Sequence, residues 1–438
     1  MSLRSKLSRL SDLAGETPAL LKSEKSEPAT PLAPTLEHLR AKMNAILERS
    51  GIEKPPAPRP VDTDDLPFAS IETDLGLLHV RTFRLSPAHR TGRAPLLPAR
   101  DASTELLALL ALDPSLQACQ LGGALYLDTE TTGLSGGTGT VAFLVGLAFW
   151  EGGDLVVEQL LVRELGEEAP MLERVAMRLR KATMIVTFNG KAFDMPLLRT
   201  RFVMNRIEAP EGLPHLDLLH VARRLHKPRG ITCRLTNIER EILGFERDND
   251  VDSADVSACY FHFLRTGDGS ALRRVVEHNS WDVVSMAALV GLYGEPLEGS
   301  QLDPEDLIGV ARTLKRAGAM DGAAAAAETA VQRGAGHESI RVRAEIAKAR
   351  GDRARALRDY AELAEKIDCD RVRLELAKLY EHYVKEPARA LALVEQGTAE
   401  SEPSRRHRAA RLTRKARDQG LGVRDQGRGT GSLFRGLP

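Results

Sequence analysis

From Ala124 onward, short apolar runs alternate with amphipathic stretches. "ALYLDTE", "TVAFLVGLAFW" and "DLVVEQLLVREL" read as three strands, "APMLERVAMRLRKA" as a helix, "TMIVTFN" as a further strand and "DMPLLRTRFVM" as a further helix. Three strands close in sequence, then a helix and another strand, predict a mixed sheet with helices packed on it, an α/β domain over residues 119–295. Ahead of it, "ASIETDLGLLHVRTFRL" alternates apolar and polar positions on either side of "DLG" and predicts a small hairpin within a lead-in segment, 61–118. Residues 1–60 are rich in Ser, Pro, Ala and charge apart from one helix at "TLEHLRAKMNAILERSG", and read as a flexible leader.

After "LYGEPLEGSQLDP" the chain turns to Ala, Leu, Glu and Arg at helical spacing and repeats itself over 304–400. Gly318 aligns with Gly351 and Ala323 with Ala356 at an offset of 33, and Ala390 follows Ala356 by 34. That period, with small residues at fixed places, resembles tetratricopeptide repeats, although Leu, Ile or Ala mostly replace the large aromatics of the first helix. An ordinary bundle of amphipathic helix pairs is the plainer alternative. The last stretch, 401–438, carries ten Lys and Arg against Glu402, Asp418 and Asp425, and reads as a basic disordered tail, able to hold a nucleic-acid backbone or simply to solubilise.

Composition narrows the classes. Lys plus Arg and Asp plus Glu both total 61, so any attraction for a polyanion must be local. Cys119, Cys233, Cys259 and Cys369 stand at least 26 residues apart, without the paired spacing of zinc sites, and read as reduced thiols. With no signal peptide and no run near the roughly 20 apolar residues of a membrane span, the expected location is the cytoplasm.

The chemistry concentrates in three places. Asp128 and Glu130 lie two apart on a buried strand, so both leave by one face and repel each other unless a cation stands between them. "TFNGKAFDMPLL" sets Asp194 at a helix entrance, and "VVEHNSWDVVSMAALV" sets His278 and Asp282 four apart on one helix face. Alone, each has an ordinary reading: a turn acid, a helix cap, a surface hydrogen bond. Together they supply four carboxylates and an imidazole, the inventory of a hydrolase that uses two Mg²⁺ or Mn²⁺ ions on a phosphodiester.

In their order, "DTETTGL", "FNGKAFDMPLL" and "HNSWD" resemble the motifs of the DEDD exonucleases, and "LYLDTETTGLSGGTGTVAFLVGLAFW" with "HLDLLHVARRL" is similar to their bacterial YprB-type branch, some members of which carry tetratricopeptide repeats. The resemblance implies a ribonuclease H-like fold, followed here by an all-α tetratricopeptide-like domain, and removal of nucleotides from 3′ ends. It also implies that Asp128, Glu130 and Asp282 hold one metal ion and Asp128 with Asp194 a second, with Glu130 and His278 catalytic. His278 would orient or deprotonate the attacking water. Here three residues, Asn279, Ser280 and Trp281, separate His278 from Asp282, the spacing of the tyrosine-type members, so a role in orienting other groups stays open.

Other conspicuous residues carry less. "ERDNDVD" starts like a calcium loop but has Ser253 and Cys259 where Gly and Glu are needed, and reads as a solvated loop. His215 and Asp217 read as structural, and "SGGTG" as a turn lacking the Lys of a phosphate loop. The expected partner is a nucleic-acid 3′ end, DNA or RNA, with a further protein partner for the repeats. The rival reading is a catalytically quiet nucleic-acid-binding or scaffolding protein.

Overall fold

The structure, a computed structural model, describes residues 66–133 and 139–423; the leader helix, most of "SGGTG" and residues 424–438 lie outside the described residues. Strands β1 (Ala69–Thr73), β2 (Gly76–Leu85), β3 (Ala124–Thr131), β4 (Ala142–Glu151), β5 (Asp154–Leu161), β6 (Met184–Thr187) and β7 (His215–Asp217) form one sheet in the order β1-β2-β5-β4-β3-β6-β7. β3, β4 and β5 pair antiparallel as a meander, while β6 pairs parallel to β3 and β7 parallel to β6. The mixed sheet expected from the sequence is therefore present. The expected hairpin forms as β1 and β2, and it extends the main sheet, because β2 pairs with β5 from His79 opposite Leu161 to Leu85 opposite Leu155.

The two-residue alternation of β3 sorts its side chains between two layers. In the connector before it, helix α1 (Thr104–Ala111) contributes Leu107 and Leu110 to the core. Leu125 and Leu127 pack with Val145 and Leu147 against Leu172 and Val175 of α2 (Ala169–Lys181) and Leu198 of α3 (Asp194–Asn205). On the other face Ala124 and Tyr126 share a core with α4 (Leu218–Leu225) and with Val283, Met286 and Ala287 of the long helix α6 (Ser270–Tyr293). Helix α5 (Val256–Thr266) supplies Tyr260, stacked on Phe143 of β4 at 4.0 Å.

Three helical hairpins follow: α7 (Pro304–Arg316) with α8 (Met320–Gln332), α9 (Gly336–Ala349) with α10 (Arg353–Lys366), and α11 (Asp370–Leu379) with α12 (Pro387–Glu395). The aligned alanines Ala323, Ala356 and Ala390 are all fully buried. The aligned turn glycines Gly318 and Gly351 take φ of +81° and +85°, and the corresponding third residue is Lys385, at φ +65°. Helix α7 lies so close to α4 that a Cβ on Gly309 would stand 2.5 Å from the Leu225 carbonyl oxygen.

The basic segment corrects its expectation. Residues Glu402–Val423 form a helix, α13, where a disordered tail was predicted. Arg408, Arg411 and Lys415 recur on one helical face and stand 3.0, 2.8 and 2.9 Å from the buried carboxylate of Glu381. Burial would raise that carboxyl, but Arg411, Lys415 and their neighbours outweigh it and pull it down to about 2. Leu412, fully buried near Ala377, Ala390 and Val394, completes the docking.

Lys385 occupies a conformation that suits glycine. Lys385→Gly should raise stability by about 1 kcal/mol, read as a higher urea midpoint, because an L side chain in the left-handed region costs roughly that much. Gly351→Lys should lower it by a similar amount. An unchanged midpoint in both would show that the turn geometry carries no such cost.

Candidate metal centre at the end of strand β3

β3 runs through the middle of the sheet, and its last residues carry the acids. Asp128 and Glu130 leave by the face that α6 covers, and a register shift after Glu130 bends the strand end as bulges beside functional sites do. Thr129 points to the other layer, where its hydroxyl donates to Asp194 Oδ1 at 2.5 Å. Asp194 is the first residue of α3 and so reaches the same strand end from the opposite layer. The structure brings Asp128, Glu130, Asp194, His278 and Asp282 together, as the sequence motifs predict.

A row of paired residues fixes Asp128. Arg81, Gln159, Gly146 and Asp128 stand opposite one another across β2, β5, β4 and β3. Over the bare Gly146 lies Asn279 of α6, whose Nδ2 donates to Asp128 Oδ2 at 2.8 Å while its Oδ1 accepts from Gln159 Nε2 at 2.9 Å. Arg81 Nη1 in turn donates to Gln159 Oε1 at 2.9 Å, so each amide has a defined orientation. A Cβ on Gly146 would stand 2.3 Å from Asn279 Oδ1, which explains the glycine.

His278 Nε2 lies 3.8 Å from Glu130 Oε1 and 3.6 Å from Asp282 Oδ2, and ligand atoms of these three residues fall within 4.8 Å of one another. A cleft of about 420 Å³ opens beside the strand end, lined by Asp128, Glu130 and Asp194 and by Phe188 and Phe193. The loop leading to Asp194 is held from beneath by Asp217, which accepts from the backbone amides of Asn189 and Lys191 at 2.8 and 3.1 Å. His215 bonds Thr187 at 2.8 Å, and burial pushes its imidazole down to about 4, so it stays neutral. Both therefore tie down the strand ends and the loop beside Asp194.

The segment "ERDNDVD" corrects the solvated-loop expectation. The Arg247 side chain, only 4% exposed, donates from Nε and Nη2 to Glu239 at 2.7 Å each, and Nη2 also meets Asp282 Oδ1. Asp250 Oδ1 stands 2.7 Å from His278 Nδ1. Glu239, buried under the site, and Arg247 are members the sequence motifs do not include; the one local signal is an arginine flanked by acids.

Electrostatics report an excess of negative charge. Burial, then the charges of Asp282, Glu130 and Asp194, hold the Asp128 carboxyl well above the usual range. Burial is also the largest cause for Glu130; Asp282 and Asp194 add to it and His278 opposes it, leaving the carboxyl at about 8. Asp194 rises to about 6, chiefly by burial, against the hydrogen bond from Thr129. Burial works against charging His278, but Asp282 and Glu130 outweigh it and raise the imidazole above its ordinary value. Groups that repel in this way and lie beside a cleft fit a divalent cation, and a donor set dominated by carboxylate oxygen suits Mg²⁺ or Mn²⁺.

A family model described as RNase_H superfamily matches residues 125–293, which contain all of Asp128, Glu130, Asp194, His278 and Asp282. A protein of Bacillus subtilis (strain 168) named "Uncharacterized protein YprB" is 32% identical over 311 residues, 66% of this chain and 74% of that protein.

The raised carboxyls carry a pH signature. Without metal the folded state holds the Glu130 proton more tightly than the unfolded chain does. That stabilisation is complete below its usual value near 4.5 and is lost as pH rises to about 8. The melting temperature of chelator-treated protein should therefore fall between pH 5 and 8, Mn²⁺ should restore it at pH 8, and Glu130→Gln should flatten the fall. A metal-free protein with no such fall would contradict the repulsion.

Proposed function

The chain belongs to the YprB family of RNase_H superfamily proteins, and from that premise we propose that it is a divalent-metal-dependent 3′–5′ exonuclease acting on nucleic acid. The observation that carries the reading is the carboxylate cluster at the end of β3, opening on a cleft. Such a cluster repels a phosphate backbone unless cations stand between them, so it makes sense as a nuclease site and is a liability in a simple nucleic-acid-binding surface.

Asp128, Glu130 and Asp282 would hold one ion and Asp128 with Asp194 the second. Bound there, the ions supply charge neutralisation for the attacking and leaving oxygens of the phosphodiester. The protein's own contribution is placement. Asn279 fixes one oxygen of Asp128, Thr129 fixes one of Asp194, and Arg247 fixes one of Asp282. His278 turns Nε2 toward the cluster, where it can accept a proton from water. Phe193, 58% exposed at the cleft, offers an apolar face to a terminal base. The 3′ polarity rests on the likeness of the three motifs to DEDD exonucleases.

A second role for the repeats has its own support: a hollow of about 490 Å³ lined by Lys315, Arg341, Lys348 and Arg371 together with Glu345 and Glu375 offers a partner a surface with charges of both signs.

Incubation with end-labelled single-stranded DNA and RNA tests the reading. A 5′-labelled strand should shorten from its 3′ end with Mg²⁺ or Mn²⁺, a closed circular strand should survive, and EDTA should stop the reaction. Asp128→Asn should lower kcat by at least roughly 10³-fold, since metal stabilisation is worth several kcal/mol. A wild type inert on both polymers with either metal would sink the proposal, and cutting of the circle would replace it with an endonuclease.

A further inference from the structure

We infer that Asp250 is a positioning residue for His278, fixing which ring nitrogen carries the proton; the inference rests on the exonuclease reading above. Two groups approach His278 Nδ1: Asp250 Oδ1 at 2.7 Å and Arg247 Nη1 at 3.0 Å. One ring nitrogen cannot serve both. It donates to the carboxylate when protonated and accepts from the guanidinium when bare. The rest of the network decides between them. Arg247 Nε and Nη2 are committed to Glu239 and Asp282, and Nη1 has its own acceptor in Asp250 Oδ2 at 3.5 Å. With Nδ1–H donating to Oδ1, the shorter of the two contacts is a charge-assisted hydrogen bond, and Nη1, left without the Nδ1 lone pair, keeps Oδ2 as its acceptor, so Asp250 uses both oxygens.

The consequence lies on the other side of the ring. A proton on Nδ1 leaves the lone pair on Nε2, which faces Glu130 and Asp282 at 3.8 and 3.6 Å, beyond direct hydrogen bonding and spaced for a water held among them. A proton on Nε2 instead would leave no imidazole lone pair facing the centre. Asp250 therefore does for His278 what a bare ring cannot do for itself.

The segment is built to hold that carboxylate. Arg274, one turn before His278 on α6, donates from Nε to the Asn249 carbonyl at 3.0 Å and from Nη2 to the Asp250 carbonyl at 2.5 Å. Asn249 adopts φ +55°, a left-handed conformation that asparagine tolerates. The Val251 amide donates to Asp250 Oδ1 at 2.8 Å, fixing the side chain from its own backbone. The helix that carries His278 thus anchors the loop that orients it.

The test uses full-length protein and two readouts. In kinetics on a single strand with saturating Mn²⁺, Asp250→Ala should lower kcat roughly 10- to 100-fold, with KM and the Mn²⁺ half-saturation unchanged. Asp250→Asn, which keeps an oxygen acceptor for Nδ1–H, should recover most of the loss. His278→Ala combined with Asp250→Ala should be no slower than His278→Ala alone, because both act through one ring. In ¹⁵N-histidine NMR of the metal-free protein in alkaline buffer, the His278 resonances, assigned with His278→Gln, should report the Nδ1–H tautomer in the wild type and its loss in Asp250→Ala. Wild-type kcat in Asp250→Ala, additive losses in the double variant, a shifted Mn²⁺ half-saturation, or an Nε2–H tautomer in the wild type overturns the inference and leaves the exonuclease reading intact. An inert wild type overturns both.

Discussion

Holding several carboxylates together at the end of one strand is the constraint around which this domain is arranged. Two like charges 4 Å apart repel by about 4 kcal/mol at the effective dielectric of a protein surface. A domain's whole stability is about 5–15 kcal/mol, so a cluster of ionised acids would consume much of it. The acids around Asp128 answer with raised carboxyl values, keeping protons where no cation stands among them. The scaffold must still bring them together in the absence of that cation. It does so with the stiffest parts available: a strand paired on both sides, the long helix α6 laid across it, and a row of contacts from Arg81 through the amides of Gln159 and Asn279 to Asp128.

The same sheet shows what an acid looks like when its role is structural. Glu158 of β5 is as buried as any acid of the cluster, yet Arg174 and Arg178 meet it at 2.6 and 2.8 Å and hold its carboxyl below the usual range despite burial. Glu381 in the repeats is likewise surrounded by Arg408, Arg411 and Lys415. Glu130 has no arginine bonded to its carboxylate among the described contacts, and Arg247 is engaged with Glu239 and Asp282 instead. Where neighbouring acids are paired and these are left short of cations, the shortage itself marks the site.

Much of this was legible in sequence because the relevant signals are local. Alternation along β3 placed Asp128 and Glu130 on one face, the four-residue spacing placed His278 with Asp282, and the 33-residue offset located Gly318, Gly351 and the buried alanines. The parts that escaped depend on long-range closure. Asp250 and Arg247 reach His278 across 28 and 31 residues, through a loop whose course is set by Arg274 and the left-handed Asn249. Composition alone made the basic segment a tail, although Arg408, Arg411 and Lys415 already carry helical spacing. What it lacked was the identity of the acid they would neutralise. The three-residue strand β7 is too short to show a period at all.

The junction between the sheet domain and the repeats bears on what the repeats can do. Gly309 lets α7 approach the backbone of α4, and the hydrophobic core runs without a break from Val221 and Leu225 into Val310, Ala311 and Leu314 and on to Ala323. Fully buried His226 ties this seam to α6, with Nε2 2.9 Å from the Tyr293 hydroxyl and Nδ1 2.9 Å from Asp306, which Arg229 also meets at 2.8 Å. Tyr293 closes the helix that carries His278 and Asp282. A flexible linker would give a bound partner only a raised local concentration near the cleft. A seam packed like a domain interior instead fixes the first repeat against the helix that carries His278 and Asp282, so anything held on the repeats would stand in a set orientation to the cleft.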